Sequence, residues 1–385
     1  MVKAKKIIGL LLAVLLIFTL AAACGQQAGS KSTESKEPSE SEKTVEESKE
    51  PIEAKGGKVG ILSPTVNVVR FVTDSEYMQA KLQDMGYTAE IQYADDNVSN
   101  QINQIENMIT KGFDVLILIP VDAEAVAPAC DKAFEAGIGI ISYDRLVKAT
   151  KSVTYYATFD NVKVGEACGQ YIVDKLDLEN VEGPFNIELF TGDIADNNAK
   201  MTLDGAMSVL QPYIDNGKLV VPSGQTALEQ CVTQGWDSGA AQDRMENIIS
   251  GFYSDKKLDA VMTTYGGMGI GVATALKENG YGTADKPMPI ITGQDAELRI
   301  IKSIIADEMT MSICKDTRVL GDIAVGMADA IIKGEDYPIN DTSSYDNGAF
   351  IVPTYLADVT VFDKDNLDEV TIDSGLFTRE EVYGK

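Results

Sequence analysis

Where the apolar run of Ile138, Ile140 and Ile141 ends, the chain sets Asp144 and Arg145 side by side. A carboxylate accepts several hydrogen bonds, and a guanidinium donates several in one plane. Such a pair can take from and give to adjacent hydroxyls of a sugar ring through charge-assisted bonds. The same charges could instead close a turn as a salt bridge. Asp196, Asn197 and Asn198 stand together in GDIADNNAK, and Gln294 and Asp295 in TGQDAE. Asp and Asn are common helix N-caps, but three planar polar groups exceed what one cap needs. Asp160 and Asn161 either cap a helix or mark a crossing between domains. Arg70 and Phe71 follow the first apolar strand in a stretch that reads as irregular loop. Phe71 and the single tryptophan, Trp236, could stack on the C–H face of a sugar ring; core packing is the other reading of Trp236.

Other chemistries lack their residues. The 385-residue chain contains no histidine, which removes the commonest general base and transition-metal ligand. Paired carboxylates could serve a glycosidase. Here, though, they are interleaved with Arg, Asn and Gln, a pattern suited to holding hydroxyls. YGGMGIG fits neither GxGxxG nor GxxxxGK[ST], so no nucleotide loop is expected. Cys130, Cys168, Cys231 and Cys314 are scattered without a CxxC spacing. They read as buried thiols, with disulfides as the alternative. No cofactor is expected.

These residues sit at the ends of a repeating pattern. KVGILS, TAEIQY, DVLILIP, GIGIISYD, FNIELFTGD, KLVV, DAVMTT, MPIIT and MTMSIC are apolar runs of strand length, with amphipathic segments between most of them. One such segment puts Ile102, Ile105, Met108 and Ile109 on a single helical face. The pattern predicts an α/β fold with parallel sheets covered on both faces. About 330 residues from Lys58 onward are enough for two such sheets. In open α/β sheets ligands bind beyond the carboxyl ends of the strands, and the polar motifs lie there.

The amino-terminal stretch reads differently. MVKAKK, an apolar core and AAACG have the layout of a secretory signal over residues 1–23. Cys24, after three alanines, resembles the lipidated cysteine of bacterial lipoproteins. Residues 24–56 are rich in Ser, Glu, Lys and Pro and read as a disordered acidic tether. The charges of these two segments cancel, so the body carries the whole formal charge of −26. That argues against nucleic acid as a partner.

The body resembles the type I periplasmic sugar-binding proteins of ABC importers, and within them the multiple-monosaccharide receptors and D-xylose-binding proteins. The resemblance is carried by YADDN, NQINQIENMITKG, ISYDRL, YYATFDNVKVG, DNNA, TGQDAE, KDTR and NDTSSYDNG. It implies two Rossmann-like lobes joined by a three-segment hinge: 57–160 with 295–340, and 161–294 with 341–375. The crossings are expected near Asp160 and Asn161, near Gln294 and Asp295, and near Tyr345 to Asn347. It also implies ligand roles for Arg70, Phe71, Asp144, Arg145, Asp196, Asn198 and Gln294, and more weakly for Trp236. Such proteins carry an aspartate after the DAVMTT strand, whose place here falls on Gly266; the glycine would alter specificity. The expected protein is a monomer, lipid-anchored at the outer face of the cell membrane. It passes a monosaccharide to an ABC permease. A sensor that presents the sugar to a membrane receptor shares every binding feature, and a surface glycoside-active enzyme is the further alternative.

Overall fold

The computed structural model describes residues 56–384. The expected signal, the Cys24 lipidation and all but the last residue of the tether lie outside the described residues. The chain first builds β1 (Lys58–Ser63), α1 (Val69–Asp84), β2 (Thr88–Tyr93), α2 (Val98–Lys111), β3 (Val115–Leu118), α3 (Ala127–Glu135), β4 (Gly139–Tyr143) and β5 (Tyr155–Phe159). It then builds α4 (Asn161–Lys175), β6 (Phe185–Phe190), α5 (Asn197–Asp215), β7 (Leu219–Val220), α6 (Leu228–Cys231), α7 (Ser238–Phe252), β8 (Ala260–Thr263), α8 (Gly266–Glu278), β9 (Ile290–Ile291), α9 (Leu298–Ile305) and β10 (Met311–Cys314). After α10 (Thr317–Lys333) come β11 (Thr354–Ala357), β12 (Thr360–Asp363) and α11 (Arg379–Tyr383).

Two parallel sheets result. The first runs β11-β5-β4-β3-β1-β2 and the second β7-β6-β8-β9, while β10 and β12 pair antiparallel. The apolar runs are nearly continuous because both faces of each sheet are covered. In β3, Val115 and Ile117 enter one core with Leu320 and Ala324 of α10. Leu116 and Leu118 enter another with Ile105 and Met108 of α2. Fully burying each such side chain contributes about 1.5–3 kcal/mol. The face expected for Ile102, Ile105, Met108 and Ile109 is the one that packs.

Three segments pass between the sheets: Phe159 to Asn161, Cys314 to Thr317, and Ala357 to Thr360. The first coincides with the expected crossing, and the other two do not. Beyond Gln294 the chain stays with the second sheet, where Ile300, Ile301, Ile304 and Cys314 join its core. Residues around Tyr345 stay with the first, because β11 pairs in parallel with β5 and Val352 packs beside Tyr345. No residue pattern marks this, since α/β units look alike whichever sheet they join. β5, β11 and β12 are not among the strands expected from the apolar runs.

Candidate functional site

The carboxyl ends of both sheets converge on one small cavity of about 30 Å³. Its wall contains all eight side chains singled out as ligand candidates: Arg70, Phe71, Asp144, Arg145, Asp196, Asn198, Trp236 and Gln294. Val68, Tyr265, Asp295 and Lys315 complete it.

Arg70 and Phe71 occupy the first turn of α1 and not a loop. The helix starts after Val68, which has no side-chain cap bond, so the usual Ser or Asp signal is absent. The Arg70 Nη2 lies 2.7 Å from Asp144 Oδ2 and 3.3 Å from Asp74 Oδ2, and Nη1 lies 3.8 Å from Asp295 Oδ1. Asp144 and Arg145 do not pair with each other. Asp144 takes a left-handed φ of 59° and faces Arg70, while the Arg145 Nε reaches Asp196 Oδ2 at 2.8 Å. A non-glycine residue in this region is uncommon and its strain collects at functional sites. Trp236 (φ 57°) and Asp295 (φ 76°) in the same wall share it.

The capping readings and the cavity readings are both met. Asp196 caps α5 by accepting from Asn198 N at 2.9 Å through Oδ1, and turns Oδ2 to Arg145 and to the Trp236 indole N–H at 3.2 Å. Asn198 donates to the Asp144 carbonyl at 2.9 Å and accepts from Asn161 at 3.0 Å. Asn197 does not enter the cavity; its Nδ2 lies against Met201 Sδ. Asp160 caps α4 at the first crossing. Trp236 belongs to the second lobe's core and to the cavity at once. Its ring lies so close over Gly192 that a Cβ there would come within 2.0 Å of the indole.

Burial and charge set the protonation. Burial pushes the Asp144 carboxyl up, but Arg70, Lys315 and Arg145 together hold it below the usual carboxylate range. For Asp196 and Asp295 burial prevails and raises them. Burial also lowers the Lys315 ammonium, against the pull of Asp144 and Asp295. Several polar atoms around the cavity are buried without a hydrogen bond: Nε and Nη2 of Arg70, Asp144 Oδ2, Arg145 Nε, Gln294 Oε1 and Asp295 Oδ1. The close approaches of Arg70 to Asp144 and of Arg145 to Asp196 bring charges together without aligning an N–H on the carboxylate. Buried groups in this condition are costly and point to a polar guest.

Gly266 is a correction. It does not line the cavity: a Cβ there would point into Ile300, 2.5 Å from its Cδ1. The loop reaches the cavity through Tyr265, whose hydroxyl donates to Glu297 at 2.8 Å and accepts from Arg299 at 2.7 Å. Tyr265 therefore turns ring carbon to the cavity, edge-on to Trp236 with centroids 6.2 Å apart. Asp237, the next acid after Trp236, does not stand in for the expected aspartate as an acceptor: it is an exposed N-cap of α7. Lys315, Tyr265 and Asp74 were not singled out in the sequence. The signals were there for two: a lysine at the carboxyl end of the buried MSIC strand, and an acid four residues after Arg70. Among the described residues the four cysteines are buried and unpaired, and no group of three His, Cys, Asp or Glu could hold a metal ion.

Residues 59–336 match the model of the periplasmic binding protein domain. The chain is 45% identical over 326 residues to the multiple sugar-binding periplasmic receptor ChvE of Rhizobium radiobacter, covering 85% of this chain and 92% of that one. It is 31% identical to the D-xylose-binding periplasmic protein of Escherichia coli, covering 86% and 93%. Among solved structures it is similar to an ABC transporter solute-binding protein from Clostridium phytofermentans with bound β-D-glucose, with a TM-score of 0.81 and 44% identity, covering 84% of this chain and 99% of that one.

Proposed function

The chain belongs to the periplasmic binding protein family, and from that premise we propose that it captures a neutral monosaccharide between its two lobes and delivers it to an ABC permease. The observation that carries this reading is the set of buried polar atoms that converge on one cavity without an aligned hydrogen bond. A polyhydroxylated ring supplies donors and acceptors in alternation, which an apolar or singly charged guest does not. The wall sets three cations, Arg70, Arg145 and Lys315, against three carboxylates, Asp144, Asp196 and Asp295. With those charges balanced, a neutral ligand suits it better than a uronic acid. Phe71 and Trp236 offer rings to the C–H faces of the sugar.

The mechanism is domain closure. Arg145 reaches Asp196 at 2.8 Å and Asn198 reaches the Asp144 carbonyl at 2.9 Å across the cleft, so the lobes part about the three crossings for entry. They then close on the sugar, in the hinge motion by which binding proteins sequester ligands. Asp144, Arg145, Asp196, Asn198, Gln294, Asp295 and Lys315 then bind hydroxyls in place of one another. Micromolar affinity corresponds to about −8 kcal/mol. Nothing in this arrangement activates a water or a nucleophile, so the sugar is held and released unchanged. The body acts as a monomer tethered outside the cell by a lipid on Cys24.

The test is thermal-shift screening against aldopentoses, aldohexoses and uronic acids, followed by calorimetry on the best sugar. Stabilisation by neutral aldoses and not by uronic acids is expected; no response to any aldose would defeat the reading. For the anchor, a Cys24→Ala protein should leave the membrane fraction; if it stays there, lipidation of Cys24 is not the anchor.

A further inference from the structure

One turn of α1 beyond Arg70, Asp74 is wholly buried and does not line the cavity. Its Oδ2 lies 3.3 Å from Arg70 Nη2 and accepts a hydrogen bond from the Tyr143 hydroxyl at 2.8 Å, while Oδ1 has no hydrogen-bond partner. Arg70 thus stands between a carboxyl behind it and two carboxyls before it, Asp144 at 2.7 Å and Asp295 at 3.8 Å. One positive charge cannot neutralise all three. We propose that Asp74 is a positioning residue for Arg70: ionised, it draws the guanidinium back against α1 and frees Asp144 to accept a sugar hydroxyl; protonated, it lets Arg70 settle on Asp144. The proposal rests on the sugar-capture reading.

The chemistry of the site puts this exchange near neutrality. Burial raises the Asp74 carboxyl to about 7. The groups facing it divide: Arg70 on its own helix and Tyr143 on β4 pull it down, while Asp144 at the end of β4 and Asp295 beyond β9 push it up. Below that value Asp74 is neutral, and Arg70 and Asp144 neutralise each other in the cavity. Above it, both present themselves to the ligand. Affinity therefore rises as pH increases through about 7, and by linkage the sugar expels a fraction of a proton when it binds there. Asp74 touches no ligand atom; it acts only through Arg70.

Titration calorimetry on the best aldose, from about pH 6 to about pH 8 in two buffers of different ionisation enthalpy, reads both effects. Wild-type affinity should be several-fold weaker at the acid end, approaching tenfold per pH unit at most, with a buffer-dependent heat near the midpoint. Asp74→Asn keeps the shape and an acceptor for Tyr143 but cannot ionise. Its affinity should be flat across the range, below wild type at the alkaline end, and its heat independent of buffer. Tyr143→Phe removes a bond that favours the carboxylate and should move the midpoint to higher pH. A flat wild-type profile overturns the proposal without any variant. So does an Asp74→Asn protein that retains the wild-type slope, or a Tyr143→Phe midpoint that does not move. Absence of binding to every aldose at every pH would instead remove the capture reading on which this one stands.

Discussion

The second lobe carries, at the opposite end of its strands from the cleft, a groove of about 720 Å³, against about 30 Å³ for the cavity between the lobes. By size the groove would be the site. Its polar groups are already spoken for: Tyr171 donates to Asp363 at 2.8 Å, Lys175 lies 3.3 Å from the same carboxylate, and Lys277 pairs with Glu308 at 2.5 Å. Among its lining residues Tyr281 alone has a buried polar atom without a hydrogen bond. In the cleft cavity five residues do. Exposed pairs of the groove's kind contribute about 0–1 kcal/mol and ask for nothing more. What marks the cleft is that its ion pairs are buried and leave hydrogen bonds unmade, while the groove's pairs are partly exposed to water.

The contrast can be broken most directly at Arg145. Arg145→Ala leaves buried Asp196 without its cation and the ligand without a charged donor, and should cost about 2–5 kcal/mol of affinity by calorimetry. A wild-type value would mean that the cleft's unpaired atoms are not a binding set. Next comes Lys315→Met, which removes one charged donor at the second crossing and its 3.3 Å bond to Asn161. It should cost about 1.5–3 kcal/mol of affinity; a loss under about twofold would confine Lys315 to the hinge. Gly266 and Tyr265, adjacent in sequence, should separate cleanly. Gly266→Ala forces a Cβ into Ile300 and should lower stability by about 1–3 kcal/mol in denaturant melts, with the sugar ranking unchanged. Tyr265→Asn should reorder the ranking among epimers, because it offers a hydrogen-bonding group where the wild type shows ring carbon. The reverse pattern would return Gly266 to the cavity. The smallest effect is expected in the groove, where Lys277→Ala should change stability by no more than about 0.5 kcal/mol and leave sugar affinity untouched. A measurable affinity loss there would erase the distinction between the two regions.

Seven of the eight candidate residues that converge on the cavity were legible because each sits at the carboxyl end of an apolar strand or within about two helical turns of it; Trp236, well past β7, stood out only as the single tryptophan. Strand ends in parallel sheets all face the same way, so their polar residues meet whatever the order of the strands. What was not legible depended on order and direction. The second and third crossings were misplaced because nothing in the sequence tells α9 from α10, yet α9 packs on the second sheet and α10 on the first. Gly266 was taken for a cavity position because a run of glycines gives no hold for deciding which residue points inward; the steric demand of Ile300 decides it. Asp74 was hidden by the missing cap before α1. Its spacing of four from Arg70 becomes a signal only once α1 is known to begin before Arg70.

Trp236 is the only tryptophan in the chain, and it sits in the cavity wall with its indole N–H on Asp196 and its ring against Tyr265. All indole emission from this protein therefore originates at one place, within reach of anything that enters the cleft. A sugar that takes over Asp196, or a lobe that swings away, changes the polarity and the quenchers around that single fluorophore. The molecule comes with a built-in optical probe of its own occupancy: stopped-flow mixing can follow capture and release in real time without a dye, a label or an engineered residue.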